Sequence, residues 1–124
     1  MKLLKQIVLY VSDNKFMHII LKDTLKAYKI EVIDVYSGLE ALQSLSELTP
    51  DLILSDIDMP GMTGFELCRT LNESPKYKNI PFVIYSSSES DEHIEKSYAL
   101  GAKGYIIKKY HKEELAKKII HFLK

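Results

Sequence analysis

A chain of 124 residues is one domain's worth, long enough to bury about two-thirds of its unfolded surface. With 17 Lys plus Arg against 17 Asp plus Glu, charge gives no ground for direct nucleic-acid binding or for an anionic membrane as partner. The single cysteine, Cys68, excludes an intramolecular disulfide and fits a reducing compartment. No apolar run approaches the ~18 residues of a membrane span, and residues 1–6 lack the apolar centre of a signal peptide, so a cytoplasmic protein is expected.

Gln6–Val11 is a continuous apolar, β-branched run, the pattern of a buried parallel strand. Ser12, Asp13 and Asn14, three helix-capping residue types, end it. Phe16, Met17, Ile19, Ile20, Leu21 and Leu25 then recur at helical spacing up to Ala27. Ile30–Val35 alternates and reads as a strand nearer the sheet edge. Ser37 and Glu40 match a capping box and open a helix carrying Leu39, Leu42, Leu45 and Leu48. Pro50 separates it from a strand over residues 51–55.

That strand ends in Asp56, Asp58, Pro60, Gly61 and Gly64, after which Phe65, Leu67, Cys68 and Leu71 mark a third helix closing near residues 72–75. Residues 80–85 form a fourth strand, followed by the hydroxyl run Ser86, Ser87 and Ser88. A fourth helix spans residues 89–100, with Gly101 suited to a left-handed terminating position. Gly104–Ile107 is a fifth strand closed by Lys108 and Lys109, and Lys112–Leu123 is the last helix, burying Leu115, Ile119, Ile120 and Phe122. Seven lysines between positions 103 and 124 read as a solvated helix face. Five strands alternating with five helices predict an α/β fold, a doubly wound parallel sheet in a single domain with no effector domain attached.

In such a sheet, ligands bind beyond the carboxyl ends of the strands. Those ends deliver Ser12 and Asp13, Asp56, Ser86 and Lys108. Two carboxylates and a main-chain carbonyl just past Asp56 make an all-oxygen site suited to Mg²⁺. A hydroxyl and an ammonium group nearby supply a donor and a point charge for a bound phosphoryl group. The chemistry indicated is a carboxylate nucleophile, assisted by a divalent cation, forming an acyl phosphate.

Residues 56–67 and residues 101–108 resemble the phosphoacceptor loop and the lysine-bearing segment of the receiver domain of two-component response regulators, of the single-domain chemotaxis type. The resemblance covers essentially the whole chain. It implies the flavodoxin-like strand order 2-1-3-4-5. It also implies Asp56 as phosphoacceptor, with Asp13, Asp56 and the Asp58 main-chain carbonyl as Mg²⁺ ligands. Ser86 becomes the switch hydroxyl, Lys108 the charge partner, and Tyr105 the aromatic that reports the state. A sensor histidine kinase or histidine phosphotransfer protein is the implied donor. Output passes to a downstream protein or effector domain through the fourth helix, fifth strand and fifth helix, and a homodimer is compatible with it. Such a protein is a switch with slow self-dephosphorylation at most, not an enzyme in the ordinary sense.

Two positions depart from the family. Ser12 replaces the first of two adjacent acids, removing a negative charge and predicting weaker Mg²⁺ affinity. Lys109 stands where a proline, often after a cis bond, is usual, and a non-proline cis bond costs about 3 kcal/mol. Ser87, usually a small residue, leaves access for water, and Asp58 is expected to influence dephosphorylation. Phe16, Met17 and Ile20 are candidates for kinase docking, with at least two of the three expected in the core. The competing reading is a degenerate receiver that acts as a phosphorylation-independent interaction module. A phosphoaspartate-forming hydrolase is disfavoured by Pro60, and a flavin protein by the absence of a hydroxyl- and glycine-rich loop after the first strand.

Overall fold

The computed structural model describes residues 5–109 and 111–123; Tyr110, Lys124 and residues 1–4 of the amino-terminal stretch lie outside them. Strands β1 (Gln6–Val11), β2 (Ile30–Val35), β3 (Leu52–Ser55), β4 (Phe82–Ser86) and β5 (Gly104–Ile107) alternate with helices α1 (Lys15–Lys26), α2 (Gly38–Leu45), α3 (Gly64–Asn72), α4 (Asp91–Ala99) and α5 (Lys112–Leu123). The strands form one parallel sheet, as their alternation with helices predicts, in the order β2-β1-β3-β4-β5 that the family resemblance implies.

Both faces of the sheet are covered, because successive strand residues point to opposite sides. Val8, Tyr10, Leu52, Leu54, Val83 and Tyr85 pack with Leu21 and Leu25 of α1 and Leu115 and Ile119 of α5. Leu9, Val11, Ile53, Phe82 and Ile84 pack with Ala41 and Leu45 of α2 and with Phe65, Leu67 and Leu71 of α3. Cys68 lies in this second layer, where burial pushes its thiol up to about 11.

Several expectations need correction. α1 turns His18, Leu21, Thr24 and Leu25 inward, a stripe at i, i+3, i+6 and i+7, leaving Phe16 and Ile19 67% and 66% exposed. Only Met17 packs on the core layer, while Ile20 is half-buried. α2 stops at Leu45 rather than Leu48. The Glu47 and Leu48 N–H groups both donate to the Ser44 carbonyl in a closing turn, since Pro50 disfavours helical backbone at the residue before it. Leu39 is exposed. β4 begins at Phe82, after Pro81, whose carbonyl accepts from Ile53 N–H.

α3 starts from a capping box that sequence reading passed over: Thr63 Oγ1 accepts from Glu66 N–H while Glu66 Oε1 accepts from Thr63 N–H. The next residue must be glycine, because a Cβ on Gly64 would stand 2.0 Å from the Asp56 carbonyl oxygen. Gly101 takes φ +109° as expected, against the Asn72 side chain.

Candidate functional site

The end of β3, flanked by β1 and β4, presents Asp56 as a buried carboxylate. Its backbone is fixed from three directions. Asp56 N–H donates to the Val11 carbonyl, its own carbonyl accepts from Ser55 Oγ at 2.9 Å, and Gly64 packs against that carbonyl.

The carboxylate holds three donors. Lys108 Nζ lies 2.9 Å from Oδ1, carried there by the turn after β5, where Lys108 N–H donates to the Ser86 carbonyl. The same ammonium stands 5.1 Å above the Tyr85 ring. Tyr10 Oη donates to Oδ1 at 3.4 Å and Ser12 Oγ to Oδ2 at 2.6 Å. Burial, then the negative charge of Asp56, raises the Tyr10 phenol far above its ordinary value, so it remains a donor. The same two causes push Tyr85 up to about 12.

Ser12 is therefore more than the loss of an acid. Fully buried, it supplies a neutral donor to the carboxylate its aspartate counterpart would repel, while its Oγ accepts from Asn14 N–H. Asn14 in turn caps α1 by accepting from Met17 N–H.

Asp56 and Lys108 meet as expected. Asp13 and Asp58 lie exposed in the loops after β1 and β3. Ser86 ends β4, but its hydroxyl accepts from Ser88 N–H at 3.1 Å instead of reaching Asp56. Tyr105 is half-buried and donates from Oη to the Ser88 carbonyl at 2.8 Å. Ser88 Oγ also pairs with His93 Nδ1 at 2.7 Å, tying this loop to α4. The Lys108–Lys109 bond is trans, and Lys109 N–H donates back to the Ile107 carbonyl at 2.8 Å.

Besides Tyr10, two participants escaped the sequence reading, His18 and Asp34. His18, 2% exposed, sits on the inner stripe of α1. Its Nε2 lies 2.7 Å from the Ser12 carbonyl and its Nδ1 2.7 Å from Asp34 Oδ1. Asp34 also pairs with Lys22. The signal was available: position 18 has the same helical register as Leu21 and Leu25, where a polar residue needs partners.

Mg²⁺ takes oxygen ligands and keeps several waters. An ionised carboxylate offers about four lone-pair sites, so three donors leave Asp56 one for a cation. The Asp13 carboxylate and Asp58 carbonyl supply oxygens of the same kind. Among the described residues no group of three or more His, Cys, Asp or Glu side chains gathers to hold a metal.

A family pattern, the response regulator receiver domain, matches residues 8–120. This chain belongs to the response regulator receiver domain family. Receiver domains work in phosphorylation-based two-component signalling with histidine kinases, as switches and not as ordinary enzymes. The two-component response regulator ORR8 of Oryza sativa subsp. indica is 39% identical over 102 residues, covering 82% of this chain and 84% of that protein. Two other curated relatives are longer, and the chain spans 48% and 8% of their lengths. The chemotaxis response regulator CheY4 of Vibrio cholerae is 30% identical with a TM-score of 0.88, covering 96% of this chain and 99% of that one. The receiver domain of sensor histidine kinase PA1611 from Pseudomonas aeruginosa PAO1 has magnesium coordinated in its active site cleft. At 21% identity, a TM-score of 0.86 and coverage of 97% and 98%, it speaks to the fold alone. Among the described residues no helix is long and apolar enough to cross a membrane.

Proposed function

We propose that Asp56 is the phosphoacceptor of a signalling switch, receiving its phosphoryl group from a sensor histidine kinase or histidine phosphotransfer protein in the cytoplasm. The observation that carries this reading is the Lys108 ammonium 2.9 Å from a buried Asp56 carboxylate at the carboxyl edge of the sheet. An Asp56 oxygen attacks phosphorus, the donor's P–N bond breaks, and its imidazole leaves with the bonding electron pair and takes up a proton. Asp13, Asp56 and the Asp58 main-chain carbonyl would hold Mg²⁺, which supplies charge neutralisation at the transferring oxygens.

Phosphorylation adds about −1.5 to −2 charges. Lys108 remains as charge partner, and the Ser86 hydroxyl turns from Ser88 N–H toward the phosphoryl oxygens. That movement perturbs the Ser88 carbonyl on which Tyr105 rests, so the face formed by α4, β5 and α5 changes shape for a downstream protein, an effector domain or a second copy. A shift from 1:99 to 99:1 needs about 5.5 kcal/mol, within reach of several charge-assisted hydrogen bonds. Exposed Phe16 is the docking contact on α1. Ser87 and Asp58, both exposed, flank the route for the slow hydrolytic water.

Incubation with phosphoramidate and Mg²⁺, followed by intact mass, tests the reading. One added phosphoryl group in the wild type and none in Asp56→Asn supports it. Absence of any gain overturns it in favour of a phosphorylation-independent interaction module.

A further inference from the structure

His18 is a nearly inaccessible polar side chain that the reaction at Asp56 does not touch, and its hydrogen bonds fix its chemistry. The Ser12 carbonyl can only accept, so Nε2 must carry a hydrogen. The Asp34 carboxylate also pairs with the Lys22 ammonium, whose charged form it favours. Nδ1 lies 2.7 Å from its Oδ1, so the ring joins the Ser12 carbonyl to that carboxylate. The ring packs against Tyr10 and Tyr36, with centroids 4.5 and 4.6 Å away and the planes tilted by 52° and 50°.

Ser12 is the residue this clamp restrains. Its N–H donates to the Val35 carbonyl, its carbonyl accepts from His18, and its hydroxyl links Asn14 to Asp56 Oδ2. The His18 bond anchors the carbonyl at the point where β1 gives way to the loop carrying Asp13. Tyr10, in contact with the same imidazole ring, is the second donor to Asp56. One buried side chain thus braces two of the three donors around the carboxylate and the loop of a third acid.

We propose that His18 is a positioning residue for phosphoryl transfer at Asp56, tying the Ser12 carbonyl to the Asp34 carboxylate and so setting where Ser12 Oγ and Asp13 stand. The inference rests on the reading of Asp56 as phosphoacceptor. Small misplacements of catalytic groups cost rate steeply, on the order of 10²-fold for 1 Å, so removing the clamp should slow transfer beyond its effect on folding.

The test compares wild type, His18→Phe, which keeps an aromatic ring but neither bond, and His18→Arg, a pure donor able to bridge two acceptors. Initial rates of mass gain are measured with phosphoramidate, at 0 and at saturating Mg²⁺. The expected result is a tenfold or larger loss for His18→Phe, with recovery to within about threefold of wild type for His18→Arg. In the wild type, ¹⁵N spectra should place a hydrogen on His18 Nε2. In His18→Phe, the amide signals of Ser12, Asp13 and Asp56 should shift while those of α5 stay in place. Where His18→Phe does not fold, His18→Gln, which satisfies only one acceptor, takes its place.

Equal rates in wild type and variant, or a His18 Nε2 without a hydrogen in the wild type, overturn this inference and leave the Asp56 reading standing. A wild type that takes up no phosphoryl group overturns the Asp56 reading and this inference with it.

Discussion

The two flanks of Asp56 are built differently. Toward β1 and β2, the buried Tyr10, Ser12 and His18 close into a network with half-buried Asp34, each meeting a partner within 3.4 Å. Toward β4 and β5, Ser86, Ser88, Tyr105 and Lys108 are only half-buried, and the hydroxyls of Ser86 and Tyr105 bond to loop backbone. A buried network resists rearrangement, because each broken bond strands a group away from water. A half-exposed one exchanges partners with solvent at small cost. The first flank acts as a frame and the second as the moving part, so substitutions should separate them.

The largest contrast is expected at His18. His18→Ala leaves the Ser12 carbonyl without its donor and Asp34 with Lys22 alone, and should cost about 3 kcal/mol in urea unfolding. Next comes alkaline pH. Tyr85 is held neutral, with its value raised to about 12, so the unfolded chain loses that proton first. Stability is intact below about pH 10 and falls as pH rises through 12. Tyr85→Phe should remove about 2–3 kcal/mol of that loss, read as a flatter melting profile between these pH values.

Ser12→Asp replaces the donor 2.6 Å from Asp56 with a like charge. It should destabilise the metal-free protein by about 2 kcal/mol, half of the ~4 kcal/mol for bare charges 4 Å apart near a surface. Mg²⁺ should restore its melting temperature more than it raises that of the wild type. The smallest effect is expected on the second flank: Ser88→Ala should cost under about 1 kcal/mol while speeding amide exchange across residues 86–90.

The frame and the moving part were not equally legible in the sequence. Strand ends announce themselves, since apolar runs stop abruptly at Asp56, Ser86 and Lys108, and parallel topology then brings distant ends together. The β1–β2 flank was hidden because its members look like something else. Tyr10 sits in an apolar run and passes for core, although a buried phenol needs a partner. Ser12 looks like a missing charge, and its role as donor depends on a distance no one-dimensional pattern carries. His18 was overlooked because Met17, Ile19 and Ile20 suggested a different inner face for α1. Ile19 and Leu39 turn outward despite their helical spacing, since periodicity gives the spacing of a stripe more surely than its phase.

Cys68 also has a practical consequence. Its thiol is 1% exposed and raised to about 11, so at neutral pH it offers maleimide reagents almost no thiolate. A cysteine introduced at Leu39 or Tyr98, both largely exposed, would then carry a fluorophore or spin label alone, with the native thiol left in place. Paired probes at those positions would follow the two flanks in real time in an otherwise unaltered chain.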